Sequence, residues 1–196
     1  MDRAKRPQGA VKLTPRAKLL LIGALFLAPI AASIAAYLFM NVEATANYGE
    51  LLLPPSPVTT HAFTREDGTQ FRFAELRDRW ILVASDSGSC AEACARKLRM
   101  MRQVRLALGH DAARVARVFV VDDIRAPDHA AFDPVEDLVV AVTPRGMTLP
   151  PGAANDRAYI YLVDPRGNVM MRWPQGPDFR GMLKDLQTLL KASQIG

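Results

Sequence analysis

The sequence predicts an α/β domain with a central mixed sheet flanked by helices, preceded by one transmembrane helix. Three observations carry this prediction. Residues 19–40 contain no charged side chain. Residues 80–121 read as a buried strand, an amphipathic helix and a second buried strand. Residues 159–173 form two β-rich runs on either side of a turn with proline and glycine, which is typical of a β-hairpin.

Positive charge is concentrated ahead of the uncharged run. The whole chain has 25 Lys and Arg against 20 Asp and Glu, a net charge of +5. Residues 1–18 hold six of these basic residues and one acidic residue, which leaves 19 of each sign for the rest. The basic balance therefore belongs to the N-terminal tail. It does not indicate a nucleic-acid-binding domain, which would carry a basic face of its own.

Residues 19–40 are long enough to cross a hydrocarbon core of about 30 Å, which needs about 20 helical residues. Basic residues on the N-terminal side alone place that side in the cytoplasm. We therefore predict a single-pass protein of the inner membrane that contacts lipid through residues 19–40, with its C-terminal domain in the periplasm. A cleaved signal peptide is the alternative, since residues 44–46 read Ala-Thr-Ala. A mitochondrial presequence followed by an anchor is a further alternative.

The order of the predicted domains follows from the basic tail, the uncharged run and three prolines between positions 54 and 57. These prolines disfavour helix and therefore indicate a linker. The predicted parts are a basic cytoplasmic tail (1–18), a transmembrane helix (19–40), a proline-containing linker (41–60) and a folded domain (61–196). Residues 47–52 are more apolar than a free linker needs, which leaves open that they dock on the domain or on the membrane surface.

Within residues 61–196, apolar runs of period two alternate with helical periodicity. The predicted elements are a hairpin or edge strand around Gly68, a strand at 80–85, a helix at 94–108, strands at 115–121 and 138–142, a hairpin at 159–173 and a helix at 178–191. A crossover through a helix makes the first two central strands parallel, and the hairpin adds an antiparallel pair. This is the layout of a thioredoxin-like domain.

The chain has two cysteines, Cys90 and Cys94, which stand where the first central strand meets its helix. Unpaired backbone N–H groups at a helix N-terminus favour the thiolate, and Arg96, Lys97 and Arg99 add positive charge. Positions i and i+4 of a helix have Cβ atoms about 5–6 Å apart, whereas a disulfide needs about 3.5–4.5 Å. Cys90 must therefore lie in the turn before the helix if the pair is to close.

A thiolate is both the nucleophile of disulfide exchange and a soft ligand for Cu(I). The simpler alternatives are a structural disulfide, or two buried thiols that pack as small apolar residues. A structural zinc site is disfavoured, because it takes four Cys or His ligands and none cluster near these cysteines in the sequence.

These motifs resemble the Sco/SenC family, thioredoxin-like factors for copper delivery to cytochrome oxidase. The C-x3-C of residues 90–94 matches that family, as do the strand end Phe119-Val120-Val121-Asp122 and the hairpin sequence over residues 160–167. The resemblance covers residues 80–173. It implies that two thiolates and one distal histidine bind copper, and that the partners are cytochrome c oxidase subunits or other assembly factors.

The sequence departs from that family at the distal histidine, whose place here is taken by Asp156. The family's proline within the cysteine motif is also absent. His129, in the loop after the second central strand, is the other candidate for a third ligand. His61 belongs to the predicted linker, and His110 lies 16 residues past Cys94, about 24 Å along a continuous helix. The candidate metal ligands are therefore Cys90 and Cys94, with His129 and Asp156 as additional ones.

The predicted function is to assist copper-site assembly of cytochrome c oxidase by thiol–disulfide exchange, by transient Cu(I) binding, or by both. In exchange, Cys90 attacks the target because the turn exposes it, and Cys94 resolves the mixed disulfide. Any enzymatic activity would then be that of a thiol–disulfide oxidoreductase. The alternative is a non-catalytic scaffold with a structural disulfide. A peroxidase of the peroxiredoxin type is disfavoured, because no threonine precedes either cysteine at the required spacing.

Overall fold

The computed structural model describes residues 14–39, 47–58, 62–130, 137–143 and 156–193. The chain separates into two compact units, one ending at Thr45 and one beginning at Ala46. The first unit contains helix α1 (Pro15–Phe39), with Pro29 inside it. Within it, Pro15–Ala35 is long and apolar enough to cross a membrane, with a mean hydropathy of 2.1. By length and composition this helix fits a membrane anchor, and a signal sequence would meet the same criteria.

The second unit is built on one eight-stranded mixed sheet, ordered β1-β8-β7-β4-β5-β6-β2-β3. The strands are β1 (Glu50–Pro57), β2 (Phe63–Arg65), β3 (Gln70–Phe71), β4 (Trp80–Asp86), β5 (Val115–Val121), β6 (Leu138–Val142), β7 (Tyr159–Val163) and β8 (Asn168–Pro174). The helices are α2 (Glu92–Ala107) and α3 (Phe179–Ala192). Strands β4, β5 and β6 run parallel, whereas β7 pairs antiparallel with both β4 and β8. The predicted mixed sheet, its parallel centre and its hairpin are confirmed.

The central strand β4 is buried on both faces of the sheet. Its pleat points alternate side chains to opposite sides. Leu82 and Ala84 join a cluster that includes the apolar faces of α2 and α3, and Ile81 and Val83 join a second cluster on the other side. That second cluster is filled by three aromatic rings from the strands and the 3-10 turn that precede β4, namely Phe63, Phe71 and Phe73.

The linker predicted for residues 41–60 is corrected by strand β1, which adds residues 50–57 to the edge of the sheet. Glu50 is opposite Arg172 and Pro57 is opposite Asn168 in an antiparallel pair with β8. An edge strand tolerates proline, because one side of its backbone needs no hydrogen-bond partner in the sheet. The folded unit therefore begins well before residue 61. The alternative that residues 47–52 dock on the domain matches this arrangement.

Asp185 fixes the start of this unit from inside helix α3, where it is 2% exposed. Its carboxylate accepts hydrogen bonds from the backbone N–H groups of Tyr48 at 2.9 Å and Gly49 at 2.7 Å. It also accepts one from Nε1 of Trp173 at 2.9 Å. A buried carboxylate with three donors joins the first residues of the unit to β8 and α3.

Replacing Asp185 with alanine is expected to lower the free energy of unfolding by about 2–3 kcal/mol, because it leaves three buried donors without an acceptor. Denaturant unfolding of the full chain in detergent, followed by the fluorescence of Trp173 and Trp80, would measure the loss. The control is Asp111→Ala, at an acidic side chain that pairs with Arg114 outside this cluster. Equal stability of the two variants would contradict the assigned role.

Candidate functional site

Cys90 and Cys94 form a disulfide, with their Cα atoms 5.1 Å apart. Helix α2 begins at Glu92, so Cys94 lies in its first turn. Cys90 lies in the preceding turn at a φ of 36°, and its N–H donates to the carbonyl of Ser87 at 2.9 Å. This arrangement confirms that Cys90 stands before the helix, where the pair can close.

Both cysteines are buried, Cys90 at 2% and Cys94 at 1% exposure. They belong to the core cluster that α2 and α3 form on the sheet. The prediction that the turn exposes Cys90 is therefore wrong. The physical reason is that both side chains pack into this core. A second piece of chain packs on the turn that precedes Cys90.

That piece is the segment Asp123–Asp128, which we call the cover segment. The N–H of Asp128 donates to the carbonyl of Gly88 at 2.9 Å, and the N–H of Gly88 donates to Oδ1 of Asp123 at 3.0 Å. Nη1 of Arg125 donates to Oγ of Ser89 at 3.2 Å. A Cβ atom at Gly88 would stand 2.1 Å from the carbonyl oxygen of Arg125. The two backbones thus pack so closely that only glycine fits at position 88.

The side chain of Asp123 links the cysteine turn to the cover segment, and it does so as a carboxylate. Its Oδ1 also accepts from the N–H of Arg125 at 3.1 Å. Burial by itself raises the pKa of Asp123, but hydrogen bonds from Ser87, Gly88 and Arg125 outweigh it and hold that pKa below its usual 3.8. At neutral pH the group is therefore a carboxylate that accepts hydrogen bonds from both the cysteine turn and the cover segment.

Lys97, one turn after Cys94, is completely buried. Its Nζ lies 2.9 Å from Oδ2 of Asp86 and donates to the carbonyl oxygens of Ser85 at 2.9 Å and Arg157 at 2.8 Å. Burial lowers the pKa of Lys97, and the hydrogen bond and ion pair with Asp86 oppose that effect. The charge of Lys97 thus balances Asp86 at the end of β4.

The other two predicted sources of positive charge are also paired. Arg96 and Arg99 lie 3.4 Å and 2.9 Å from the same oxygen of Glu92, at the first position of α2. Both pairs are largely exposed to solvent, where such interactions are weak. Arg96, Lys97 and Arg99, which were expected to add positive charge near the cysteines, are thus each paired with a carboxylate that offsets this charge.

Arg157, which no sequence pattern indicated as a site residue, completes a charge cluster at this end of the sheet. It forms an ion pair with Asp122 and lies 3.8 Å from Asp123 and 4.0 Å from Asp86. These contacts raise the pKa of Arg157, chiefly through the hydrogen bond with Asp122. The sequence did contain a signal for such a partner, because Asp122 and Asp123 directly follow the buried strand β5 and carboxylates at such a place need a positively charged or hydrogen-bonding partner.

The candidate copper ligands are not all brought together. Nε2 of His129 lies 2.8 Å from Oε1 of Glu66, and His110 is 93% exposed beside Asp111. Asp156 opens a 3-10 turn, but its side chain is outside the described residues, as is His61. Across the part of the chain that the structure describes, no three His, Cys, Asp or Glu side chains are arranged to hold a metal ion. The sulfur atoms of Cys90 and Cys94 are the soft donors that the site offers.

A family model described as "transmembrane-like, thioredoxin-like, C-terminal domain" matches residues 80–193. A comparison with curated proteins finds no match. Among solved structures, yeast Sco1 with copper bound is similar, with a TM-score of 0.56 and 14% identity over 71% of this chain and 91% of that one.

Two further structures combine the same fold with described disulfide chemistry. BsSco, described with a disulfide switch as a member of the Sco family of cytochrome c oxidase assembly proteins, has a TM-score of 0.55 and 12% identity over 74% of this chain and 99% of that one. A putative protein disulfide isomerase from Bacteroides thetaiotaomicron has a TM-score of 0.55 and 17% identity over 69% and 89%. At these identities the likeness shows the fold. The predicted thioredoxin-like layout is confirmed, and Sco proteins are among the structural neighbours.

Proposed function

The chain belongs to the transmembrane-like, thioredoxin-like family, and on that premise we propose that it is a membrane-anchored thiol–disulfide exchange protein acting through Cys90 and Cys94. The observation that carries the proposal is the disulfide closed across the first turn of α2, directly after the central strand. Backbone N–H groups at that helix end stabilise a thiolate once the pair is reduced. We place the domain in the periplasm, because the basic tail precedes α1.

The exchange transfers two electrons from the reduced pair to a target disulfide. The Cys90 thiolate attacks one target sulfur, which forms a mixed disulfide and releases the other target sulfur as a thiolate that takes up a proton. Cys94 then loses its proton and attacks the Cys90 sulfur, which releases the second target thiol and closes the Cys90–Cys94 disulfide. A dithiol protein must reduce the pair again. We assign the attack to Cys90, because it lies outside the helix beside the exposed Ser89.

The proposed target is a protein of cytochrome c oxidase copper-site assembly, whose copper-ligand cysteines must be reduced to bind metal. The support is the likeness to Sco proteins together with the C-x3-C spacing. The alternative, a scaffold with a structural disulfide, is favoured by the burial of both cysteines. The two functions differ in whether the buried disulfide becomes accessible to a target.

Exchange requires the buried disulfide to become accessible, and we propose that the cover segment, which packs on Gly88 and Ser89, opens in that step. Replacing Gly88 with alanine places a Cβ atom 2.1 Å from the carbonyl oxygen of Arg125, so the cover segment must move away. We expect dithiothreitol to reduce the disulfide about tenfold faster. This corresponds to a loss of about 1.4 kcal/mol from the free energy that holds the cover segment on the turn. The control is Ala91→Val, at an exposed position beside the same disulfide. An unchanged reduction rate in the glycine variant would mean that the cover segment does not limit access.

A second candidate function is transient binding of Cu(I) as cargo. Once reduced, Cys90 and Cys94 present two thiolates about one helical turn apart, and two thiolates suffice for Cu(I). The copper-bound Sco structure among the neighbours supports this candidate. His129 and Asp156 remain the proposed additional ligands, and His129 would have to leave Glu66 to reach the pair.

One experiment separates these functions. The full chain in detergent is reduced, titrated anaerobically with Cu(I) against a chelator of known affinity, and assayed for exchange with glutathione. Cys90→Ser and Cys94→Ser are measured alongside. One-to-one binding that both variants lose would support copper delivery. Exchange without tight binding would support thiol–disulfide chemistry, and the absence of both would favour the scaffold.

A further inference from the structure

A cavity of about 260 Å³ lies at the opposite end of the sheet from the cysteines. It is formed by the end of β1, the 3-10 turn Phe73–Leu76 and the turn between β7 and β8. These pieces meet the amino end of β4, whose seven residues place it about 23 Å from the cysteine turn. The cavity is therefore separate from the disulfide site, and its role does not depend on the proposed exchange.

Three arginines from two distant parts of the sequence line this cavity: Arg72, Arg77 and Arg166. None of them forms an ion pair with another described residue. Asp78 follows Arg77 in the chain but is not among the residues that line the cavity. Glu75 is held by Nη2 of Arg65 at 2.6 Å and is attracted only weakly by Arg72. The three arginines thus line one cavity, and no described carboxylate lies within ion-pair distance of their guanidinium groups.

Asp164, the acidic residue of the turn between β7 and β8, does not neutralise these arginines because its carboxylate is used within the turn. Oδ1 of Asp164 accepts from the backbone N–H groups of Arg166 at 2.9 Å and Asn168 at 2.8 Å, which holds the carboxylate inside the turn. No acidic side chain is among the described residues that line the cavity. Positive charges that line one concave site raise the local concentration of anions.

The floor of the cavity is apolar. Val58 and Phe73, which are 8% and 3% exposed, line it together with Pro57 and Ala74. A ligand for such a site needs an anionic head and a short apolar part. The volume is slightly below the 300–1,000 Å³ usual for drug-sized ligands, so the ligand is small.

We propose that this cavity binds a small phosphate ester, whose phosphate is held by Arg72, Arg77 and Arg166 while its apolar part contacts Val58 and Phe73. A planar guanidinium donates two parallel hydrogen bonds to phosphate oxygens. A phosphate monoester carries close to two negative charges and three acceptor oxygens, so it matches three guanidinium groups better than a carboxylate does. The group can come from a soluble ester or from a phospholipid headgroup.

The test is calorimetric titration of the full chain in uncharged detergent at about 0.15 M salt, where long-range attraction between exposed charges is screened. The probes are phenyl phosphate for a soluble ester, monomeric dihexanoyl phosphatidate for a lipid headgroup, and benzoate for a carboxylate. We expect Arg77→Gln and Arg166→Gln each to weaken phosphate binding at least tenfold. The control is Arg180→Gln, at an exposed arginine on α3 outside the cavity, which should leave binding unchanged.

Each outcome of the titration either supports or overturns the proposed phosphate site. Binding of phenyl phosphate that both cavity variants weaken supports a soluble ester, and binding of phosphatidate alone supports a lipid headgroup. Benzoate binding of equal strength, binding that the cavity variants leave intact, or an equal loss in Arg180→Gln would overturn the proposal, as would no binding of any phosphate. Since these arginines form no ion pairs, unchanged melting temperatures of the free variants would show that folding is not what changed.

Discussion

Replacing Cys94 with serine is expected to stop exchange after its first step. Cys90 can still attack a target disulfide, but no second thiol remains to resolve the mixed disulfide. Turnover of a disulfide substrate by the full chain should fall by at least a thousandfold, and a covalent complex with the target should accumulate. Non-reducing electrophoresis and mass spectrometry would detect the complex, which a dithiol reductant should release.

The Cys90→Ser variant is the matched control, because it removes the proposed nucleophile and keeps the other thiol. It should lose turnover equally but accumulate no complex. Trapping by Cys90→Ser instead would reverse the two roles. If both variants kept their turnover, the disulfide exchange could not proceed through Cys90 and Cys94. Folding of each variant can be verified from its unfolding midpoint, since loss of a disulfide that closes so short a loop has a smaller entropic effect than loss of one that closes a long loop.

Replacing Lys97 with methionine is expected to be the most destabilising single substitution near the site. The ammonium group is fully buried and lies 2.9 Å from Asp86, whose side chain is 14% exposed. Removing one partner of a buried ion pair leaves an uncompensated charge, which costs about 3–5 kcal/mol. Denaturant unfolding of the full chain in detergent would measure this loss.

The control is Arg96→Met, which removes an exposed partner of Glu92 and should change stability by less than about 0.5 kcal/mol. The double variant Lys97→Met with Asp86→Leu removes both charges and should recover part of the lost stability. If Lys97→Met were no more destabilising than its control, Arg157 would be supplying the balancing charge. Because α2 carries both Cys94 and Lys97, the ion pair also holds the helix start against the end of β4.

The phosphate site and the disulfide site occupy opposite ends of β4. A ligand at the arginine cavity would therefore contact the hairpin turn and the 3-10 turn without touching the cover segment. The two proposals can fail separately, since the cysteine variants leave the cavity intact and the arginine variants leave the disulfide intact.

Local sequence patterns were sufficient for the elements that lie close together in the chain. The uncharged run of residues 19–40 predicted α1, and the two apolar runs around an amphipathic stretch predicted β4, α2 and β5. The hairpin followed from its turn residues, because turn geometry is set by the few residues within it. The cysteine spacing alone required Cys90 to precede the helix if the pair is to close, because helix geometry leaves the Cβ atoms of positions i and i+4 too far apart for a disulfide.

Tertiary structure decided what depends on contacts between distant segments. The prolines of β1 concealed a strand whose partner, β8, lies more than a hundred residues later. The cysteines are buried because they pack into the core that α2 and α3 form on the sheet, and the turn before them contacts the cover segment about 35 residues later. The pairing of Lys97 with Asp86, and the position of Arg77 and Arg166 at one cavity, likewise follow from the tertiary arrangement of the strands. Periodicity reports which face of an element is apolar, but only packing determines which side chains meet there and which charges remain unpaired.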